Sequence, residues 1–244
     1  MSDAVEVTSS TLEALADQYR SIAHNLANVS TTAYKRRLSV FSQSLLEQMQ
    51  TGEAPEAGTE EVSEQTCIDF TQGVLAQTDR PLDLAIDGKA FFELETPDGP
   101  LYTRNGTFRT NQEGQLVDFS GRTVAGAAGP IIIPSGVALG QVQVSRDGTI
   151  SAAGQGIGRL KLVSFQDATQ LEPIGGSCFR APTDVTPEAD QTAAVHQGYR
   201  EASNVSIVEE LVEMIMVTRL YEANISAMLA QDERMETILQ VAMA

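Results

Sequence analysis

The chain has 244 residues, of which 42% are hydrophobic, so it is long enough to bury one large core or two modest ones. Its 16 basic and 33 acidic side chains give a formal net charge of −17 at pH 7. A surface of that sign repels phosphate backbones and anionic lipid headgroups, which argues against a nucleic-acid partner.

The first predicted element is a helix near the N-terminus, where large apolar residues recur at alternating spacings of three and four. Such a stripe is typical of a coiled-coil seam. The polar run Ser30-Thr31-Thr32 interrupts it, and a second helical pattern follows through Leu38, Phe41, Leu45 and Met49. The predicted N-terminal seam consists of Leu12, Leu15, Tyr19, Ile22, Leu26 and Val29.

An acidic segment separates this helical region from the middle of the chain. Residues 51–65 contain five glutamates with glycine and proline and no basic residue, which favours a solvated linker. From about residue 66 to residue 180, short apolar alternations such as Leu82, Leu84 and Ile86 predict an antiparallel sandwich or small barrel. Turns are predicted at Asp87-Gly88, Pro97-Asp98-Gly99-Pro100, Asn105-Gly106, Glu113-Gly114, Ser120-Gly121 and Asp147-Gly148.

The last predicted element is a long C-terminal helix, which Ser203 or Asn204 can cap. Glu209, Glu210 and Glu213 place negative charge near the positive end of its dipole. Its seam steps by four and three through Ile207, Leu211, Met214, Thr218, Tyr221, Ile225, Met228, Asp232, Met235 and Leu239.

The two seams differ in length. The C-terminal helix would reach roughly 60 Å, and the N-terminal seam about 27 Å. One partner helix therefore leaves much of the longer seam in water, where each large apolar side chain forgoes about 1.5–3 kcal/mol. We therefore expect copies of the chain to associate and to cover the exposed part of this seam. The alternative is that residues 35–50 fold back and cover the remainder within one molecule.

Reactive residues do not form a recognisable site. Cys67 and Cys178 lack metal-ligand spacing and are expected to be two unpaired thiols or one optional bridge. His24 and His196 suggest neither a metal site nor a catalytic triad. The sequence therefore predicts no enzyme, no cofactor and no metal site.

Three groups of motifs resemble the bacterial flagellar rod and hook family. The N-terminal group is Ile22-Ala23-His24-Asn25-Leu26-Ala27-Asn28-Val29-Ser30-Thr31 with Tyr34-Lys35-Arg36. The C-terminal group includes Ser203-Asn204-Val205, Val208-Glu209-Glu210-Leu211-Val212 and Tyr221-Glu222-Ala223-Asn224. The central group includes Gln72-Gly73-Val74-Leu75, Arg80-Pro81-Leu82-Asp83-Leu84-Ala85-Ile86-Asp87-Gly88 and Tyr102-Thr103-Arg104-Asn105-Gly106-Thr107-Phe108.

The chain departs from the family pattern at two places in the first motif. The family usually has two asparagines where this chain has His24-Asn25, and a glycine where this chain has Ala33. If that glycine supplies a positive φ, Ala33 would resist it and the local turn would differ.

The resemblance implies a structural subunit of the basal-body rod, closest to the proximal rod type, with a distal rod or hook-type protein as the alternative. It implies polymerisation with itself and other axial proteins in the periplasmic rod, after export by the flagellar type III apparatus without a cleaved signal peptide. The predicted assembly interface comprises Leu12, Leu15, Tyr19, Ile22, Leu26, Val29, Leu211, Met214, Tyr221, Ile225, Met228, Met235 and Leu239.

The predicted fold is α+β, with terminal coiled-coil-forming helices flanking a central antiparallel β-rich domain. Its predicted parts are a helical assembly segment at 1–50, a linker at 51–65, a β-rich domain at 66–195 and a coiled-coil helix at 196–244. No 18-residue apolar run occurs in the sequence, which argues against membrane insertion. A rival function from another class is a soluble β-rich binding module with a helical stalk.

Overall fold

The computed structural model describes residues 2–38, 67–190 and 192–242, and over these ranges the fold is α+β with a β-rich body. The chain divides into two compact units. The helical unit comprises Met1–Ala27, Arg37–Ile68 and Ser206–Ala244. The β unit comprises Asn28–Arg36 and Asp69–Val205. Each unit is thus assembled from segments that are far apart in sequence.

The helical unit contains two helices and a small strand pair among its described residues. Helix α1 is Ser2–Ala27 and helix α2 is Ile207–Ala242. Strands β1 (Arg37–Leu38) and β2 (Cys67–Ile68) pair antiparallel. The side chains of α1 are described from residue 11 onward, and those of α2 up to residue 230.

The β unit is built from short strands that pair antiparallel throughout its described residues. They are β3 Leu75–Gln77, β4 Leu84–Asp87, β5 Phe91–Glu95, β6 Leu101–Thr103, β7 Arg109–Thr110, β8 Leu116–Val117, β9 Thr123–Val124, β10 Val142–Val144, β11 Thr149–Ala152, β12 Gln155–Arg159, β13 Leu162–Ser164, β14 Glu172–Gly175, β15 Cys178–Arg180, β16 Glu188–Ala189, β17 Ala194–Gln197 and β18 Tyr199–Glu201. Leu139–Gln141 and Ala168–Gln170 form short 3-10 helices.

The largest sheet has the order β14-β15-β6-β5-β9-β8-β7, and β13 pairs with both β5 and β16. A second sheet has the order β10-β11-β12, while β17 pairs with β4 and β18 pairs with β3. Phe92 and Leu94 of β5 are fully buried opposite Thr103 and Leu101 of β6. Phe92, Leu94 and Leu101 belong to one continuous apolar core, which stabilises the β unit.

The predicted turns coincide with breaks between strands. Gly88, Gly114 and Gly148 have φ values of 117°, 78° and 80°, a region that favours glycine. At Gly106 a glycine is needed because space is limited. A Cβ atom there would lie 1.8 Å from the carbonyl oxygen of Leu84, which is too close for any side chain. The sequence therefore located the turns, but the close backbone approach at Gly106 depends on the fold.

The structure corrects the predicted start of the C-terminal helix. Residues at the start of the predicted segment 196–244 lie in β17 and β18, because Val195 and its neighbours pair with β4. The helix begins at Ile207, so Ser203 and Asn204 are too far upstream to cap it. Asn204 instead binds backbone groups within the β unit.

The second predicted helical pattern is described only at its first residue. Leu38 lies in strand β1 opposite Cys67 instead of in a helix. Phe41, Leu45, Met49 and the acidic segment 51–65 lie outside the described residues.

Candidate assembly surface

Helices α1 and α2 pack against each other through a small apolar core. Leu15 and Ile22 of α1 are buried with Val217 of α2, and Met214 packs against them. Leu15 and Ile22 are seven residues apart, or about two helical turns, which places them on one face of α1. The predicted N-terminal stripe therefore supplies the contact that holds the two helices together.

A buried polar contact accompanies this core. Asn25 and Glu210 are 1% and 0% exposed, and the Asn25 side-chain amide donates to the Glu210 carboxylate at 3.3 Å. Asn25 also donates to the carbonyl of Arg37 and accepts from its backbone N–H, both at 2.8 Å. One side chain of α1 thus joins β1 and α2, because its oxygen binds Arg37 and its amide nitrogen binds both Arg37 and Glu210.

The face of α2 that meets α1 differs from the predicted seam. Its buried or half-buried positions are Glu210, Glu213, Met214, Val217, Asn224 and Met228. Of the predicted seam, Leu211, Tyr221 and Ile225 are exposed. The contact face is therefore rotated from the predicted one, and two of the predicted positions, Met214 and Met228, lie on it.

On α1, the structure buries Leu15 and Ile22 and leaves Leu12 and Leu26 half-buried. Tyr19 is 44% exposed. Val29 lies beyond the end of α1, in the β unit. The side chains of Met235 and Leu239 lie outside the described part of α2.

The most prominent feature of α2 is the amount of apolar side chain that its own chain leaves exposed. Val208 is 72% exposed and Leu229 is 63% exposed. Within the part of α2 whose side chains are described, the other large apolar residues that are more than one third exposed are Ile207, Leu211, Val212, Ile215, Met216, Leu220, Tyr221 and Ile225. So many exposed apolar side chains make α2 a candidate protein interaction surface.

An apolar groove of about 420 Å³ lies between the two helices. Its lining residues come from both helices and are Leu15, Ala16, Tyr19, Arg20, Val217, Thr218 and Tyr221. Arg20 pairs with Asp17 on the same helix. The helical unit therefore has a concave apolar surface in addition to the exposed side chains of α2.

The β unit contains a buried cluster of charges that the sequence did not predict. Lys35, Arg104 and Glu201 have side chains 1%, 2% and 0% exposed. The Lys35 ammonium lies 2.6 Å from Glu201 Oε1, and an Arg104 guanidinium nitrogen lies 3.7 Å from Glu201 Oε2. Burial lowers the pKa of Lys35, and the Glu201 carboxylate opposes that shift.

The charged cluster holds the segment 28–36 against the rest of the β unit. Lys35 also donates to the carbonyl of Thr71 at 2.6 Å, and Glu201 accepts from the backbone N–H of Gly73 at 3.0 Å. The backbone N–H of Ala33 donates to the carbonyl of Glu201 at 2.9 Å. We call Lys35, Glu201 and Arg104 the charge clamp. Lys35 and Arg104 belong to the sequence motifs, whereas Glu201 is visible only in the fold.

Asn204 adds a second connection to the same segment. Its side-chain oxygen accepts from the backbone N–H of Arg36 at 2.7 Å, and its amide donates to the carbonyl of Asp69 at 2.9 Å. Its backbone N–H donates to the carbonyl of Tyr34. The N-terminal and C-terminal motifs therefore meet within the β unit, although they are about 170 residues apart.

The described parts of the chain contain neither a candidate metal site nor a disulfide bond. They contain no cluster of three or more histidine, cysteine or acidic residues that could hold a metal ion. Cys67 and Cys178 are both free thiols. None of the described helices combines the length and apolar character needed to cross a membrane.

Comparison with known proteins gives two family matches. Residues 85–152 match the model described as the flagellar hook protein FlgE/F/G D1 domain. Residues 196–241 match the model described as the flagellar basal body rod FlgEFG protein C-terminal region. The two matches cover the middle of the β unit and most of α2.

Individual relatives extend the similarity over most of the chain. The flagellar basal-body rod protein FlgG of Buchnera aphidicola subsp. Acyrthosiphon pisum is 34% identical over 90% of this chain and 92% of its own length. FlgF of Caulobacter vibrioides is 34% identical over 83% of this chain and 82% of its own. FlgF of Escherichia coli is 32% identical over 86% of each.

Proposed function

The chain belongs to the family of flagellar basal-body rod proteins, and we propose that it is a structural rod subunit that polymerises through its terminal helices. The similarity covers nearly the full length of the FlgG relative, so it applies to the whole subunit and not to one domain. Its place is the flagellar basal body, and its partners are other axial proteins of the flagellum.

The exposed apolar surface of α2 is the observation that supports polymerisation. Burying a large apolar side chain stabilises a contact by about 1.5–3 kcal/mol relative to leaving it in water. Several residues of α2 are more than half exposed, among them Val208, Ile215, Met216 and Leu229. Neighbouring subunits cover these residues in coiled-coil-type contacts, which gives the helix a large free-energy gain on assembly.

The finer parts of the proposal are the export route and the position in the rod. The chain is exported by the flagellar type III apparatus and assembles in the periplasmic part of the rod. We propose the proximal rod as its position. Relatives of both the FlgG and FlgF types are 34% identical to it.

A single substitution tests the proposed surface. Val208→Asp places a charge in the exposed apolar surface of α2, and we expect it to reduce assembly and motility strongly. Valine and aspartate have similar helix propensities, and an acidic residue in the first turn suits the helix dipole. The helix itself therefore stays stable, which circular dichroism of the purified variant would show.

Val74→Asp is the matched control. Val74 is 77% exposed, against 72% for Val208, but it lies in the β unit. We expect this variant to assemble and to support motility as the parent chain does. If Val208→Asp retained full motility and assembly, the α2 surface would not be the polymerisation interface, and the rival interpretation of a binding module with a helical stalk would gain support.

A further inference from the structure

Asn105 and Gly106 form a dipeptide that is chemically reactive in a flexible chain. The backbone nitrogen of Gly106 can attack Cγ of Asn105, and the side-chain amide nitrogen then leaves as ammonia, which closes a cyclic imide. Water opens this ring at either carbonyl and leaves aspartate or isoaspartate at position 105. Such reactions make asparagine thermolabile. A following glycine favours them, because it has no side chain to hinder the nitrogen and lets the backbone rotate freely.

The fold holds the backbone on both sides of this dipeptide. The N–H of Asn105 donates to the Thr103 hydroxyl at 3.0 Å, and the Asn105 side-chain oxygen accepts from the N–H of Thr107 at 3.1 Å. The carbonyl of Gly106 accepts from the N–H of Leu84 at 2.9 Å. Closing the ring draws the nitrogen of Gly106 and Cγ of Asn105 together, which requires these held groups to move.

Burial adds two further obstacles to ring closure. Gly106 is buried, and a Cβ atom on it would lie 1.8 Å from the carbonyl oxygen of Leu84 and 2.9 Å from the ring of Phe92. This packing leaves Gly106 little room to shift on that side. The attacking amide must also lose its proton, and forming a charged group in a buried environment is unfavourable.

We propose that Asn105 is a deamidation site that reacts only when the β unit is unfolded, and that isoaspartate at this position prevents refolding. Isoaspartate lengthens the main chain by one atom, because the link to Gly106 then passes through Cβ and Cγ of residue 105. On one side of this link, Thr103 pairs with Phe92. On the other, the N–H of Phe108 donates to the carbonyl of Leu82 at 3.1 Å. The added atom falls between these two fixed points and strains or breaks one of them. The fold thus protects Asn105, and a chain that stays unfolded loses the ability to form the β unit.

The full chain, kept with a thiol reductant at mildly alkaline pH, tests the protection. One sample stays in native buffer and another is unfolded in guanidinium chloride at the same temperature, and peptide mass spectrometry follows the conversion of each asparagine. We expect Asn105 to deamidate at least about tenfold more slowly in the native sample, because only transiently opened chains react. Asn204 is the internal control, since Val205 follows it, and in guanidinium chloride it should react far more slowly than Asn105. Equal rates at Asn105 in the two samples, or equal rates at the two asparagines in guanidinium chloride, would overturn the proposed site.

Refolding the guanidinium sample by dilution tests the effect of isoaspartate. We expect isoaspartate at position 105, which electron-transfer fragmentation distinguishes from aspartate, to be depleted from the protease-resistant folded fraction, while aspartate is retained there. Asn105→Asp carries the same new charge on an unaltered main chain and should fold. Asn105→Ser lacks the side-chain carbonyl that the ring needs, and it should refold with undiminished yield after the same incubation.

Three results would overturn the block to refolding by the longer main chain. The first is isoaspartate in the folded fraction at the same proportion as in the unfolded sample. The second is a loss of refolding yield in Asn105→Ser equal to that of the native chain. The third is a failure of Asn105→Asp to fold, which would assign the block to the charge.

Discussion

Ala33 lies in the left-handed region of backbone conformation, with a φ of 54°, although it is not a glycine. Its side chain is completely buried, and its N–H donates to Glu201 in the β unit. The left-handed conformation that a glycine adopts without strain is therefore present at Ala33, and the alanine accepts the strain. The expectation that Ala33 would change the turn by avoiding a positive φ is wrong.

We predict that Ala33→Gly is better tolerated than a glycine substitution at another buried alanine. Ala85→Gly is the matched control, because Ala85 is equally buried but lies in strand β4. Both variants lose a methyl group, but only Ala33→Gly relieves left-handed strain of about 1–2 kcal/mol. Urea unfolding should show Ala33→Gly to be at least about 1 kcal/mol more stable than Ala85→Gly. Equal losses would mean that Ala33 stores no strain.

The charge clamp is a second feature at the scale of single residues. Removing one partner of a buried ion pair leaves the other charge without compensation, which costs about 3–5 kcal/mol. Because Arg104 still lies 3.7 Å from Glu201 Oε2, we predict that Lys35→Met destabilises the β unit by up to about 3–5 kcal/mol, measured as the shift of its unfolding midpoint in urea. The burial of both partners makes the effect larger than that of a surface pair.

Lys89→Met is the control for this prediction, because Lys89 is an exposed lysine of the same unit. Its replacement should change the unfolding free energy by less than about 0.5 kcal/mol. If the two variants unfolded at the same urea concentration, the contact between Lys35 and Glu201 would contribute nothing to stability.

At the scale of elements, the periodicity of α2 predicted a helix but not the side that meets α1. The apolar pattern selected Leu211 and Ile225, whereas the contact face includes Glu210 and Asn224. An apolar pattern does not select Glu210, because glutamate is charged, and its partner Asn25 lies 185 residues away in the sequence. Such a contact becomes visible only when the two helices are packed together. The alternation of the strands, by contrast, is local and predicted the β-rich body.

At the scale of the whole molecule, the family motifs and the periodicity of the apolar residues give different information. The motifs identified the family, and the structure shows why several of their residues are needed: Lys35, Arg104 and Asn204 hold separate segments of the β unit together. The groove was beyond prediction from the sequence because it combines side chains from α1 and α2. The exposed surface of α2 was anticipated only as an unsatisfied seam.

Assembly and folding should therefore be separable by truncation. A chain of residues 28–205 keeps the continuous apolar core and the charge clamp but lacks both α1 and α2. We expect it to fold, to unfold in one cooperative transition and to remain monomeric in sedimentation at concentrations where the full chain polymerises. Retained polymerisation would place the assembly surface outside α1 and α2. A fragment that failed to fold would show instead that the core and the clamp need the helical unit for stability.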